Sequence, residues 1–393
     1  MDHEGRTRNV SVSEFLGPHR AIYSAVQFLE LGIGLRAETD SHHMLLEIRE
    51  EPAALRETLN AIATPCKEIA SRLAEERLGL IYLSGSGTSY HAALAGHYLM
   101  SSLSSRPTNS IPASEFDTWV RAAPDTRNVL ITISQSGESV DALSSVRAAR
   151  SKGIRSVAIT NAPGSSLAEN SDFAVVTRAG PENAVTATKT FVCCLAATYL
   201  LALDLIDASR SFTGSLGGLS TLRQELANAP EAVQDTIRRC EGRARSLASR
   251  FAEASLFFLL GRGANYATAL EGALKLKESS NVMAEGYAAR EFLHGPMQLV
   301  DRGTPVITIS TRTDYESLEP LAESFRRLGA PILPISELRL PAGREEQLEV
   351  AGSLSEPLSP LAFIVPIQLF AYYSAVSRGL NPDRPTRLTK VVR

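Results

Sequence analysis

The chain has 393 residues, 44% hydrophobic and 21% charged, the profile of a folded globular protein with length for two domains of ordinary size. Its formal net charge of -3 provides no global positive field for nucleic acid or an anionic membrane, so a phosphate ligand would have to be held locally. Cys66, Cys193, Cys194 and Cys240 show neither a metal-ligand spacing nor a C-x-x-C pair. They read as packing residues of a cytoplasmic protein, with no metal site and no cofactor.

The segment Met1–Asn9 is polar and charged and lacks the apolar core of a signal peptide. No α/β pattern is visible before about His42, so residues 1–42 read as an added arm. From there short apolar runs alternate with amphipathic stretches. Strands are expected at Leu80–Leu83, Val129–Ile133, Ser156–Thr160 and Phe173–Val176, then at Leu256–Leu260, Pro305–Ile309, Ile332–Ile335 and Leu361–Val365. Their apolar residues are successive, not alternate, as in parallel strands buried on both faces. Helices are expected at Tyr90–Met100, Val140–Lys152 and Ala267–Lys277. Phe191–Ile206 is too short and too interrupted to span a bilayer and reads as a buried helix. The alternation predicts an α/β protein with doubly wound parallel sheets.

An internal repeat predicts two such lobes in tandem. IYLSGSGTSYHA (81–92) is echoed by FLLGRGANYAT (258–268), and LITIS (130–134) by VITIS (306–310). The expected division is an arm over 1–42, lobes over 43–213 and 214–376, and a Pro- and Arg-rich tail over 377–393.

Only the first lobe keeps serine-rich loops after both strands, at Ser84–Ser89 and Ser134–Ser139. Helix N-termini, hydroxyls and closely approaching glycine backbone would together suit a phosphate. One such loop alone reads more readily as a helix cap and tight turn; two at the same end of one sheet tip the balance to an anion site. The first loop lacks the Lys-Ser/Thr of a P-loop, and Tyr90 and Tyr266 replace the third glycine of G-x-G-x-x-G, so neither ATP nor a dinucleotide is favoured.

In the second lobe Glu271, Lys275 and Glu278 share a helix face at spacings of four and three. A carboxylate beside a lysine could be a proton-transfer base with a cation to steady an enediolate. The commoner meaning of the spacing is an exposed, ion-paired face. His294 precedes Gly-Pro, in a turn where its ring could exchange protons near neutral pH or simply bond a carbonyl.

Taken together, SGTSYHAAL (86–94), ASEF (113–116), SQSGES (134–139), ENAVTATKTF (182–191), ALEGALKLKE (269–278), AEGYAAREFLHGP (284–296) and the tail GLNPDRP…LTK (379–390) resemble the SIS (sugar isomerase) family. The match is to the isomerase half of glucosamine-6-phosphate synthase and to deaminase relatives, and it runs from about His42 to Lys390. The resemblance implies flavodoxin-like lobes and a sugar-phosphate ligand. Ser134, Gln135, Ser136 and Ser139, with Ser89, would cradle the phosphate. Thr88 and Val185 would line the sugar, and Glu271 would join the substrate-binding set. Glu278 would carry a proton between C1 and C2, with Lys275 as the cation beside the enediolate. His294 would open the ring, reaching across the interface of a homodimer with shared sites. Lys390 would close over the sugar and could form an imine with an open-chain ketose.

Two departures fall within the motifs: Ala187 and Ser86 stand where the synthase has serine and cysteine. No cysteine follows Met1 and 42 residues cannot form a glutaminase domain, so ammonia from glutamine is not expected. The function expected is deamination of glucosamine 6-phosphate. The alternatives are another phosphosugar aldose–ketose isomerisation, deglycation of a fructosamine 6-phosphate, or a non-catalytic sugar-phosphate sensor.

Overall fold

The computed structural model describes residues 42–121, 125–214, 218–340 and 346–390. The arm expected over 1–42 lies outside the described residues, His42 excepted. In chain order the elements are α1 (His43–Glu75), β1 (Ile81–Gly85), α2 (Thr88–Leu103), β2 (Thr108–Pro112), α3 (Phe116–Trp119), β3 (Val129–Ile133), α4 (Val140–Ser151), β4 (Arg155–Thr160), α5 (Ser166–Asn170), β5 (Phe173–Val176), α6 (Lys189–Ala208), α7 (Gly218–Ala227) and α8 (Ala229–Arg250). They continue as β6 (Leu256–Gly261), α9 (Ala264–Ser280), β7 (Met283–Ala288), β8 (Val306–Ser310), α10 (Tyr315–Arg327), β9 (Ile332–Ser336), β10 (Leu348–Glu349), α11 (Pro360–Phe363) and α12 (Val365–Ser377).

Two five-stranded parallel sheets result, in the orders β2-β1-β3-β4-β5 and β10-β9-β8-β6-β7. Read from the other edge, the second is the first repeated: each lobe places its first strand second and its third strand third. This is the flavodoxin-like doubly wound order, with its crevice between the first and third strands. The expected α/β class and the tandem lobes are therefore present. Strands β1, β3, β8 and β9 are buried along their whole lengths, as their unbroken apolar runs require.

The two lobes share a turn as well as an order. Gly87 and Gly263 cap α2 and α9 at φ +54° and +56°, ψ -124° and -132°, a region that favours glycine. Two residues earlier, a Cβ on Gly85 would lie 2.6 Å from the Ser89 carbonyl carbon, and one on Gly261 would lie 2.0 Å from the Asn265 oxygen. Side chains at these positions would push each first helix off its strand.

The expected strand at Leu361–Val365 is a correction: these residues lie in α11, its C-terminal junction and the start of α12. The apolar run continues to Ser377, too long for one strand, and proline occupies the first turn of both helices, where its missing N–H costs nothing. Helix α6 and the α11–α12 stretch are long and apolar enough to cross a membrane, but most of each is buried within the protein. All four cysteines are buried and unpaired.

Helix α1 was not anticipated. It is 33 residues long, and its stripe of Leu45, Ile48, Leu55, Ile62, Ile69 and Leu73 repeats at helical spacing and packs on α6. Its N-terminus is closed from far along the chain: the Asp383 carboxylate accepts the N–H groups of His43 and Met44, each at 2.8 Å. The Asp383 carbonyl accepts the Val185 N–H at 3.0 Å, so one tail residue joins α1 to the loop before α6. Replacing Asp383 with alanine is expected to lower stability by about 1–2 kcal/mol, measured as the shift in urea midpoint at unchanged slope. An unchanged midpoint would show that the cap is not needed.

Candidate functional site

A cavity of about 290 Å³ opens at the C-terminal ends of β1 and β3, the crevice where an open α/β sheet binds ligands. Ser86, Gly87 and Thr88 form one wall and Ser134, Gln135, Ser136 and Ser139 the next. Val185, Ala187, Thr190 and Phe191 close a third side, Glu278 enters from α9, and Leu388, Thr389 and Lys390 cover it from the tail. The two positions that depart from the synthase, Ser86 and Ala187, are both in this wall.

The second loop is shaped by Gly137. Its φ of +67° folds the chain so that its N–H reaches the Ser134 hydroxyl at 3.2 Å. A Cβ there would lie 2.1 Å from the Ser165 hydroxyl oxygen. The acidic side chain of the loop is turned aside: Glu138 accepts the N–H and hydroxyl of Ser166, both at 2.8 Å. That leaves a run of hydroxyls, the Gln135 amide and the start of α4 on this side of the cavity, a donor-rich surface suited to an anion, although Asp141 in the first turn of α4 also lines it.

Behind Glu278 lies a buried charge network. Lys275 is fully buried, yet its ammonium uses all three donors. It reaches Glu278 Oε2 at 2.6 Å, Glu271 Oε1 at 3.2 Å and Thr88 Oγ1 at 3.1 Å. Thr88 in turn donates to Glu271 Oε1 at 3.0 Å. The remaining oxygen of Glu271, Oε2, meets His91 Nδ1 at 2.7 Å. Burial alone would pull the lysine down, but the charges of Glu271 and Glu278 outweigh it and hold Lys275 well above the ordinary lysine range. Burial would raise Glu271, and Lys275 together with His91 offsets it and holds that carboxyl low. The exposed ion-paired face that spacing suggested is thus a buried one.

Of the residues singled out from sequence, Thr88, Ser134, Gln135, Ser136, Ser139, Val185, Glu278 and Lys390 line the cavity. Glu271 and Lys275 stand behind it, and Ser89 lies one residue inside α2. His294 ends an exposed 3-10 turn, Glu291–His294, in the second lobe and does not line the cavity of its own chain. Lys390 is docked: its ammonium lies 2.7 Å from Glu182 Oε2 and 2.6 Å from the Ala184 carbonyl. Glu182 also accepts the N–H groups of Thr188 and Thr190 at 2.9 and 3.1 Å, so it both shapes the loop and receives the tail. Neither Glu182 nor His91 was assigned a role from sequence, although both stand inside motifs quoted there. Among the described residues no group of three or more His, Cys, Asp or Glu could hold a metal ion.

The second lobe has the same helix start, and a cavity of about 220 Å³ opens beside it between Gly261–Gly263, Arg290 and Ser317, but the helix N-terminus itself is already complemented. Glu356 Oε1 accepts the Ala264 N–H at 3.0 Å and sits 2.3 Å from where a Cβ on Gly263 would be. A carboxylate of the protein itself occupies the position at which the first lobe presents Gly87 and Thr88 to the cavity.

Two five-stranded flavodoxin-like lobes in tandem, the first with a hydroxyl-lined crevice, define a doubly wound α/β class of protein. The SIS domain model matches residues 76–204 and 250–378, and the chain belongs to the SIS domain family, with two copies in tandem. It is 39% identical over 359 residues to glutamine–fructose-6-phosphate aminotransferase (isomerizing) of Methanothermobacter thermautotrophicus, covering 89% of this chain and 57% of that one. It is also 39% identical to the enzyme of that name from Gloeobacter violaceus, over 89% of this chain and 58% of the relative. The chain therefore spans somewhat over half the length of these relatives. Among solved structures, the C-terminal domain of glucosamine-fructose-6-phosphate aminotransferase from Francisella tularensis superposes with a TM-score of 0.81 at 29% identity, over 89% of this chain and all of that one. Glucosamine-6-phosphate deaminase from Thermotoga maritima gives 0.69 at 25% identity, over 89% and 99%.

Removing one member of the buried pair strands the other. Lys275→Met is expected to cost about 3–5 kcal/mol, and the double variant Glu271→Gln/Lys275→Met much less than the sum of the two singles. Urea denaturation of the four proteins measures this coupling; additive losses would mean the pair is not electrostatically linked.

Proposed function

We propose that the chain is a phosphosugar isomerase that deaminates glucosamine 6-phosphate, yielding fructose 6-phosphate and ammonia. One observation carries this reading: Glu278 faces the serine-rich cavity while its own carboxylate is held by the buried ammonium of Lys275. A base placed opposite an anion cradle, beside a cation that does not depend on solvent, is the arrangement an enediolate-type proton transfer needs. A protein that only sensed the sugar phosphate would need the cradle and not this pair. The match to the Thermotoga maritima deaminase spans 99% of that chain, as the match to the aminotransferase C-terminal domain spans all of its own, so the extent of the chain is compatible with the deaminase form of the chemistry.

In this reading the phosphate sits among Ser134, Gln135, Ser136 and Ser139, near the start of α2. Glu278 takes the proton from C2 of the open-chain amino sugar and returns it to C1. Loss of the C2 proton gives the enolamine, and its return at C1 leaves an imine at C2. Water adds there, ammonia leaves, and the ketose remains, so glucosamine 6-phosphate and water balance fructose 6-phosphate and ammonia. Lys275 steadies the negative charge that develops on the C1 oxygen. Lys390 covers the sugar once it leaves Glu182. His294, exposed on the second lobe with Leu293 and Leu299 exposed beside it, would serve ring opening in the site of a second copy.

Ammonia release from glucosamine 6-phosphate, run beside galactosamine 6-phosphate and fructosamine 6-phosphates, tests the substrate. Release from a fructosamine 6-phosphate alone would make the protein a deglycase. No release from any, with phosphosugar binding retained, would leave simple isomerisation or sensing. Glu278→Gln is expected to lower turnover by about 10²–10⁴-fold while a thermal shift with fructose 6-phosphate persists; unchanged turnover would remove Glu278 from the mechanism. Mixing inactive Glu278→Gln and His294→Ala proteins is expected to restore part of the activity. No recovery would place the whole site within one chain.

A further inference from the structure

We infer that His91 is a positioning residue for this site, acting through Glu271 on Lys275 and hence on the proton-transfer carboxylate of Glu278. The catalytic part of this inference rests on the reading above; the geometric part does not.

The network has a definite hydrogen-bond order. Thr88 gives its one hydroxyl proton to Glu271 Oε1 and accepts from Lys275. Lys275 spends its other two protons on Glu271 Oε1 and Glu278 Oε2. That fixes every donor around Oε1 and leaves Oε2 to His91 Nδ1, at 2.7 Å. The side chain of Glu271 is 1% exposed and that of His91 14%, so water is a poor substitute at Oε2. An acceptor-only carboxylate there requires Nδ1 to carry the proton, which selects one tautomer of His91. With both oxygens held, the carboxylate plane is fixed. The plane fixes the ammonium of Lys275, and the ammonium fixes Glu278 at the cavity wall. His91 itself does not line the cavity. It sits on α2 and Glu271 on α9, so this contact also sets the first helix of one lobe against the first helix of the other.

Without the His91 N–H, the Glu271 carboxylate can rotate, and Lys275 and Glu278 move with it. A displacement of about 1 Å at a reacting group can cost on the order of 10²-fold in rate. Most of the phosphate contacts lie in the Ser134–Ser139 loop, which leads into α4 and not into α2 or α9, so binding should change little. His91→Leu keeps bulk and removes the donor, while His91→Asn places an amide N–H near the position of Nδ1.

The test compares wild type, His91→Leu, His91→Asn, Glu271→Gln and His91→Leu/Glu271→Gln, with kcat and KM on glucosamine 6-phosphate. The Lys275 ammonium is followed by nitrogen-detected NMR without substrate. The inference expects His91→Leu to lower kcat by roughly 10–10²-fold with KM within about threefold, and His91→Asn to recover most of that loss. It expects the double variant to be no worse than Glu271→Gln alone. The Lys275 signal should move in His91→Leu and return in His91→Asn. If His91→Leu leaves kcat intact, if folded His91→Asn fails as badly as His91→Leu, or if the losses multiply, His91 does not act through Glu271. Should wild type itself be inactive on every amino-sugar phosphate, the functional reading fails while the NMR comparison still decides the positioning: an unmoved Lys275 signal overturns it.

Discussion

The ammonium of Lys275 has no access to solvent, and much of the molecule is arranged around that fact. Removing such a charge from water costs several kcal/mol unless it is paired and its donors are used. Two carboxylates and a threonine hydroxyl meet that demand, and they come from both lobes: Glu271 and Glu278 from α9, Thr88 from the start of α2. The pairing therefore dictates that the first helices of the two repeats lie against each other. Because Thr88 and Glu278 also border the cavity, the same contact that joins the lobes fixes two walls of the site. Fold and chemistry share one electrostatic constraint.

The tail is the other long-range tie. Asp383 closes the N-terminus of α1 and holds Val185 by its carbonyl, and Lys390 rests on Glu182 and Ala184. Each of these contacts lands on, or just beside, the loop that lines the cavity. Glu182 works on both sides of that junction, ordering Thr188 and Thr190 from below and receiving the lysine from above. In the proposed function Lys390 would have to surrender the Glu182 carboxylate to cover the sugar.

Much of this was legible in the sequence for identifiable reasons. Interior parallel strands are buried on both faces, and Val129–Ile133 and Ile332–Ile335 announce themselves as unbroken apolar runs. Strands β2, β7 and β10 are edges; TNSIP and MAEGYA carry polar or small residues because one flank faces away from the sheet. The same run of apolar residues serves a buried helix equally well, which is why Leu361–Val365 misleads. Helix α1 was invisible as part of the fold because it precedes the first repeat, and the capping residue that would mark its start is Asp383, far along the chain. At the site, spacing placed Glu271, Lys275 and Glu278 on one face but could not say which way that face pointed. Only the partner helix decides between solvent and core. His91 and Glu182 stood within recognisable motifs, yet each takes its role from a contact distant in sequence.

The carboxylate of Glu356 gives the duplication an asymmetric outcome. In one lobe the helix start is complemented by a group the protein always carries; in the other it opens toward a space that a diffusible anion can fill. In the second lobe that complement is Glu356, present at a fixed internal concentration. The first gains its complement by mass action, so its stability rises with the logarithm of ligand concentration. A molecule made of two copies of one fold then has one half whose helix start is satisfied from within and one whose complement, on the proposed function, comes from solution.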